Sequence, residues 1–398
     1  MLGQARLQVG CFVLVDDVLG RHPVEVRVDL TEHCLGLHAF RRLRIDRQSP
    51  DCLRASTRAG GEFTAFNCIM STPTNYQNLG PDQVLAAVES CGFEADGRLL
   101  EMNSFENRVY QVGLEDGNAV IAKFYRPNRW SDAAILEEHA FSLSLAAREI
   151  AVVPPLPDTT GQTLRAFAGF RFALFERRGG RPPDFESQEQ LRQLRRFIGR
   201  LHAVGSEAHY QHRPTLDERS FGSECTTFLL ENGFIPDALQ VAYASLTTDL
   251  IQRIGWCYER CGDLKLIRVH GDCHRGNILW TEDGAHLVDL DDSRMAPAVQ
   301  DLWMFLAGER DEQQRSLNTL LEGYTDFHPF NATELHLIEA LRTLRLIHYY
   351  AWLARRWDDP AFPRAFPWFN TERCWEQHIL DLREQAALMD ETPLTWLM

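Results

Sequence analysis

An α+β chain in two parts, an antiparallel sheet followed by a mainly helical region, is what the sequence predicts. Three observations predict it. Arg108 to Gly113 and Ala119 to Tyr125 are alternating runs joined by Glu115-Asp116-Gly117-Asn118, which reads as a hairpin. Beyond Gly179-Gly180 the apolar residues recur at the helical period. Between helical stretches, Val269 to Asn277 and then Leu287 to Asp292 concentrate His, Asp, Asn and Gly and follow neither period.

Residues 1–69 stand apart. They hold nine Arg, no Lys, eight acids and four of the ten Cys, without a sustained period. They are expected to form an extension outside the fold, either disordered or the product of a start placed upstream of Met70. A small accessory domain is the alternative. The expected lobes are 70–176, with the sheet, and 177–398, mainly helical.

Pro81 to Cys91 reads as a short helix with Pro at its first position and Gly92 as its stop. Alternation along the return strand of the hairpin puts Lys123 on the face opposite Ala122 and Phe124. Upstream, Glu101 to Asn107 contains no Gly, yet main-chain N–H groups and the Ser104 hydroxyl can still cradle a phosphate. Ser131 or Asp132 caps the next helix, which is expected to turn Ile135, Leu136, Phe141 and Leu145 inward. Its acids Glu137 and Glu138 are candidates to pair Lys123, and Glu138 is preferred. Phe170 to Phe175 reads as a strand leading to a hinge at Gly179-Gly180. Helices follow near 191–201, 235–260, 299–307, 312–323 and 333–357. His202 is expected to be a bonded core residue, and Asp301 to brace the loop at 270 through its backbone.

That loop carries the chemistry. Asp272 and Asn277 have four residues between them, the spacing at which an Asp orients and deprotonates an attacking hydroxyl while an Asn ligates Mg²⁺. A short strand Ile278 to Trp280, a turn at Asp283-Gly284 and a strand His286 to Asp289 then bring Asn277 and Asp289 to the two ends of one hairpin. Together they offer a hard dication two oxygen ligands that hold it against the phosphates of ATP. A zinc site from His270, Cys273 and His274 is the competing reading, but the spacing fits no ordinary zinc motif.

Composition narrows the classes. With 398 residues, 44% of them apolar, the chain can fill two cores. A net charge of −15 argues against a nucleic-acid partner, and no apolar run reaches the ~20 residues of a membrane span. The scattered Cys suit reduced thiols in a cytoplasm. Only Lys123 and Lys265 among the 41 basic residues are Lys. A retained Lys points to a task for a compact point charge, such as sitting between phosphates.

Taken together, Lys123, Asp272 with Asn277, and Asp289, in that order, make the chain resemble the kinase-like phosphotransferases that include aminoglycoside phosphotransferases, choline kinase and homoserine kinase. The likeness is closer to bacterial serine/threonine kinases of that fold. It also rests on Asn103 to Tyr110, Lys123 to Pro127, His270 to Trp280, Val288 to Asp292, Pro297 to Met304 and Ala351 to Trp368, and covers 70–398.

The resemblance implies a bilobal protein-kinase-like fold, a cytoplasmic location, and Mg²⁺- and ATP-dependent transfer to Ser or Thr hydroxyls in stress protection. It implies Asp272 as proton acceptor, Asn277 and Asp289 as magnesium ligands, with Asp289 thereby also catalytic, Ser104 as an ATP contact and Lys123 as partner of the α- and β-phosphates. Gly271 stands where protein kinases carry an Arg that receives an activation-loop phosphate, and Asp289-Leu290-Asp291 replaces Asp-Phe-Gly. Activity is therefore expected without prior phosphorylation. The expected partner is a Ser/Thr-bearing protein, with no nucleic acid or membrane, and the expected state is a monomer. Rival readings are a kinase of amino alcohols or aminoglycosides and a nucleotide-binding scaffold without activity.

Overall fold

Every strand of the larger sheet is antiparallel to its neighbours, in the order β1-β2-β3-β5-β4. The computed structural model describes Tyr76 and residues 78–102, 104–183 and 187–396. The expectation for 1–69 lies outside them. Two compact units emerge, dividing at Arg178/Gly179, and Ser144–Val152 groups with the second unit.

The first unit begins with α1 (Pro81–Glu89), whose Val84, Ala87 and Val88 are buried. Next come β1 (Ala95–Glu101), β2 (Arg108–Leu114), β3 (Ala119–Phe124) and α2, which starts at Asp132 and runs on to Ala146. β4 (Arg165–Phe167) and β5 (Phe170–Glu176) complete the sheet. One core joins α1 to the sheet through Val112, Val120, Ala122, Phe124, Phe170 and Phe172. Each of these Val and Phe side chains, fully buried, contributes about 1.5–3 kcal/mol. A second cluster packs Ile135 of α2 against Tyr125 and Ala173. Ser131 caps α2, its Oγ accepting from Ala134 N–H at 3.2 Å. Leu136 departs from expectation: it is 45% exposed. Ile135 takes the inward direction, and the next residue lies ~100° around the helix.

The second unit is mainly helical. α3 (Gln188–Gly205) packs along α7 (Arg310–Tyr324). The approach is close, because a Cβ on Gly199 would lie 2.7 Å from the Tyr324 carbonyl. A π-helical turn (Arg219–Ser223) leads into α4 (Glu224–Glu231), and α5 (Asp237–Cys261) follows. Two short sheets interrupt the helices. β6 (Ile267–Val269) pairs β9 (Arg294–Ala296), and β7 (Ile278–Thr281) pairs β8 (Gly284–Leu287). α6 (Val299–Leu302) is a single turn continued as 3₁₀ helix. α8 (Ile338–Arg355), α9 (Ala361–Ala365) and α10 (Glu372–Asp390) complete the unit, with α5, α8 and α10 in mutual contact. The helix expected over 333–357 begins as 3₁₀ (Ala332–Leu337). No helix of the described residues is long and apolar enough to cross a membrane.

Candidate active site

After β6 the chain reverses through His270-Gly271-Asp272. Gly271 has φ +87°, and a Cβ there would collide with the backbone carbonyl of Asp292. No side chain, an Arg included, fits at this position. Beneath the reversal, Asp301 of α6 is fully buried. Its Oδ2 accepts the His270 N–H at 2.7 Å and its Oδ1 the Gly271 N–H at 2.8 Å. His202 of α3 adds a third bond, Nε2 to Oδ2 at 3.0 Å, while its Nδ1 bonds the Tyr324 hydroxyl at 2.9 Å. Gln300 donates to the Gly271 carbonyl at 3.0 Å. Asp301 thus braces the loop through its backbone, and His202 is the bonded core residue expected of it. Burial pushes the Asp301 pKa up, but the bonds from His202 and the Gly271 amide outweigh it and hold the pKa below the usual range.

Asp272 follows the reversal with its side chain 22% exposed. Arg345 of α8 donates to Oδ1 at 2.5 Å, and His274 Nε2 stands 3.4 Å from Oδ2. Burial raises this pKa, yet Arg345 first and His274 next lower it further, leaving it well below the ordinary value. Asn277 closes a 3₁₀ turn, and its Nδ2 donates to the Asp272 carbonyl at 2.9 Å. That bond engages the amide nitrogen, so a cation bound here would meet the amide oxygen.

Asp289 was expected inside a strand; it lies just past β8 in the left-handed region, φ 60° and ψ 66°. Such a conformation costs a residue with a Cβ about 1–2 kcal/mol, so the surroundings must impose it. Val288 N–H donates to the Asn277 carbonyl at 3.0 Å, tying the hairpin's ends together. Beyond, the buried Arg213 donates to the carbonyls of Asp291 and Ser293, and Ser293 Oγ donates to the Val269 carbonyl at 2.7 Å. An amide oxygen at Asn277 and a carboxylate at Asp289 are hard donors that fit a hard divalent cation, with waters and phosphate oxygens as its other ligands. His270 spends both ring nitrogens on backbone groups, Nε2 on the Val288 carbonyl past β8 at 3.0 Å and Nδ1 on the Asp272 N–H at 3.3 Å. Cys273 is fully buried, and burial pushes its thiol pKa well above the ordinary value. Neither is set as a zinc ligand.

The remaining candidates belong to the first unit. Lys123 is buried on β3, in register with Val109 and Ala173, its Nζ 5.4 Å from the centre of the Tyr125 ring. Tyr125 bonds His139 at 2.6 Å, and His139 bonds Thr163 at 2.7 Å. Glu138 precedes His139 and lies one helical turn from Ile135, on the side of α2 that packs against Tyr125 and Ala173. It is buried, whereas Glu137 is half-buried. Ser104 is half-buried in a loop pinned by Arg126, whose side chain donates to the carbonyls of Glu106 at 2.8 Å and Phe105 at 2.9 Å. Sequence reading missed Arg345 and Arg213. In a chain whose basic residues are nearly all Arg, nothing local marks either.

A family model described as the phosphotransferase enzyme family matches residues 99–338. Stress response kinase A of Escherichia coli (strain K12) is 42% identical over 319 residues, 80% of this chain and 96% of that protein. A Salmonella typhimurium relative named serine/threonine protein kinase RdoA is 40% identical over the same shares. Among solved structures, the amicoumacin kinase hAmiN in complex with AMP-PNP, Ca²⁺ and Ami aligns with a TM-score of 0.58 at 18% identity, over 80% of this chain and 96% of that one. A microcompartment-associated aminopropanol kinase aligns equally well, 0.58 at 16% identity over 77% and 96%. An antiparallel sheet in one unit and helices in the other agree with these folds. The chain belongs to the phosphotransferase enzyme family.

Proposed function

We propose that this protein is an ATP- and Mg²⁺-dependent serine/threonine protein kinase acting in stress response. One observation carries the reading: Asp272, Asn277 and Asp289 are gathered by backbone bonds on a loop braced from below, in a chain 42% identical to a stress response kinase. In this reading Asp272 accepts the proton of the acceptor hydroxyl. Its low pKa makes it a weak base, so its main service is to orient the hydroxyl for in-line attack, with proton transfer late. Asn277 and Asp289 would hold Mg²⁺, which supplies charge neutralisation on the phosphates when bound. Lys123 is assigned to the α- and β-phosphates, Glu138 to orienting Lys123, and Ser104 to an ATP contact. We assign the nucleotide-binding lobe to 70–176 and the catalytic lobe to 177–398, and expect a cytoplasmic monomer. The free cysteines among the described residues are consistent with a reducing compartment.

A kinase of small alcohols is the second reading, favoured by the small-molecule kinases among the structural neighbours. Incubation with labelled ATP and Mg²⁺ and either a generic protein acceptor or a panel of amino alcohols separates them. Label on Ser or Thr of the protein supports the proposal. Label only on an amino alcohol replaces it with the second reading.

A further inference from the structure

Beyond its first turn, α8 is buried at every position except Arg345, His348, Tyr349, Trp352 and Arg355. These fall on one helical line, and the line starts at the catalytic loop, where Arg345 meets Asp272. Its cations are Arg345, paired with Asp272, and the exposed Arg355, whose Nη1 donates to Cys225 Sγ at 3.7 Å and whose guanidinium lies 4.9 Å over the Phe228 ring. His348 stacks on Phe221 with ring centres 4.0 Å apart, and Arg294 lies over the same Phe221 ring at 4.7 Å. Burial, then Arg294, Arg355, Arg345 and Arg356, hold the His348 pKa well below its ordinary value. Arg294 is bonded to Asp292 at 2.8 Å. Aromatic plates stiffen the surface: Tyr349 stacks on Trp352 at 5.8 Å, Arg356 lies 5.5 Å over Trp352, and Phe362 and Phe366 of α9 back that ring. Arginines therefore lead away from Asp272 in a chain whose net charge is −15, Arg345 and Arg294 each offset by one carboxylate and Arg355 and Arg356 at the far end.

We propose that the α8 line from Arg345 to Arg356 receives the acceptor, and that it selects a hydroxyl flanked by carboxylates: a Ser or Thr in an acidic peptide segment. This rests on the protein-kinase reading and names its substrate class. Guanidiniums pair with carboxylates in planar, two-bonded geometry, and stacking on Trp352 holds the Arg356 fork in place. A cationic amino alcohol or aminoglycoside meets like charge along the same line. Length also fits a peptide. Arg345 to Arg356 spans about 16 Å of helix axis, the reach of about five extended residues.

The test uses two peptides of equal length, each with one Thr, flanked by Asp/Glu in one and Lys/Arg in the other, at fixed Mg²⁺ and ATP. We expect kcat/KM for the acidic peptide to exceed that for the basic one by about tenfold at low salt, the ratio shrinking as salt screens it. R355Q and R356Q lie away from the base. Each should raise KM for the acidic peptide by about three- to fivefold with kcat kept, and should leave KM for the basic peptide equal or lower, since a like charge has been removed. A basic preference, equal efficiencies, or an unchanged ratio in the R355Q/R356Q double variant with native circular dichroism overturns the proposal. Equal transfer to both peptides overturns it alone and leaves the kinase reading standing. Transfer to amino alcohols and to neither peptide overturns both.

Discussion

Asp272 is pulled in two directions, upward in pKa by burial and downward, more strongly, by Arg345 and His274. A carboxylate with a depressed pKa stays ionised until the pH falls through its folded value. The pH profile of kcat/KM should therefore show no acid limb from Asp272 at or above the ordinary Asp value of about 3.9. Arg345→Gln removes the main lowering contact and leaves His274 alone to oppose burial, so the limb should move to higher pH. An unmoved limb in that variant means that Arg345 does not control the base. Asp272→Ala should lower kcat by about 10²–10⁴, with nucleotide binding by calorimetry retained. Undiminished turnover removes Asp272 from the mechanism.

One turn of helix organises the loop that carries Asp272. Asp301 of α6 collects the His270 and Gly271 amides and His202, so Asp301→Ala strands buried donors and should cost about 3–5 kcal/mol in urea unfolding. A loss under 1 kcal/mol, roughly one ordinary hydrogen bond, would show that the brace is dispensable. Glu334 holds the start of α6, its Oε2 accepting the Val299 N–H at 2.9 Å. Burial raises its pKa to about 7, against the lowering by the Val299 and Ala298 amides. A raised folded pKa contributes stability that is fully present below the unfolded value, near 4.5, and lost as pH rises through about 7. Glu334→Gln keeps an acceptor without the charge. Its melting temperature should exceed wild type at pH 8 and converge with it at pH 5. A difference independent of pH would reject this titration.

For the molecule as a whole, the proposed roles predict a ligand response. Mg²⁺ with AMP-PNP at about 100 times Kd should stabilise the fold by about 2.7 kcal/mol. Asp289→Ala should lose the Mg²⁺-dependent part of this shift, whereas Asp272→Ala should keep it. Equal shifts in wild type and Asp289→Ala would take Asp289 out of the metal site. Both cores follow the apolar periodicities: Ala122 and Phe124 face one side of the sheet, and Leu191, Leu194, Ile198 and Leu201 line the buried face of α3. β1, β4, β6, β9, α4, α9 and α10 escaped the sequence reading. Their patterns are short, broken by charges, or interleaved with Pro and aromatic residues, and α10 buries polar His378 and Gln385 beside Trp375 and Leu382.

Local spacing determined the catalytic candidates. Four residues between Asp272 and Asn277, and a hairpin on to Asp289, encode a turn whose geometry is set within about 20 residues of chain. Short-range alternation likewise put Lys123 on the face of β3 that it occupies. Tertiary structure alone decided what holds these groups and tunes them. Arg345 reaches Asp272 across 73 positions, Arg213 reaches Ser293 across 80, and His202 reaches Asp301 across 99. Such partners leave no periodic trace, because an arginine or histidine that will bond in the core has the same neighbours in sequence as one that will stay in water. Burial, which sets the sign of each pKa shift, exists only once the helices have packed.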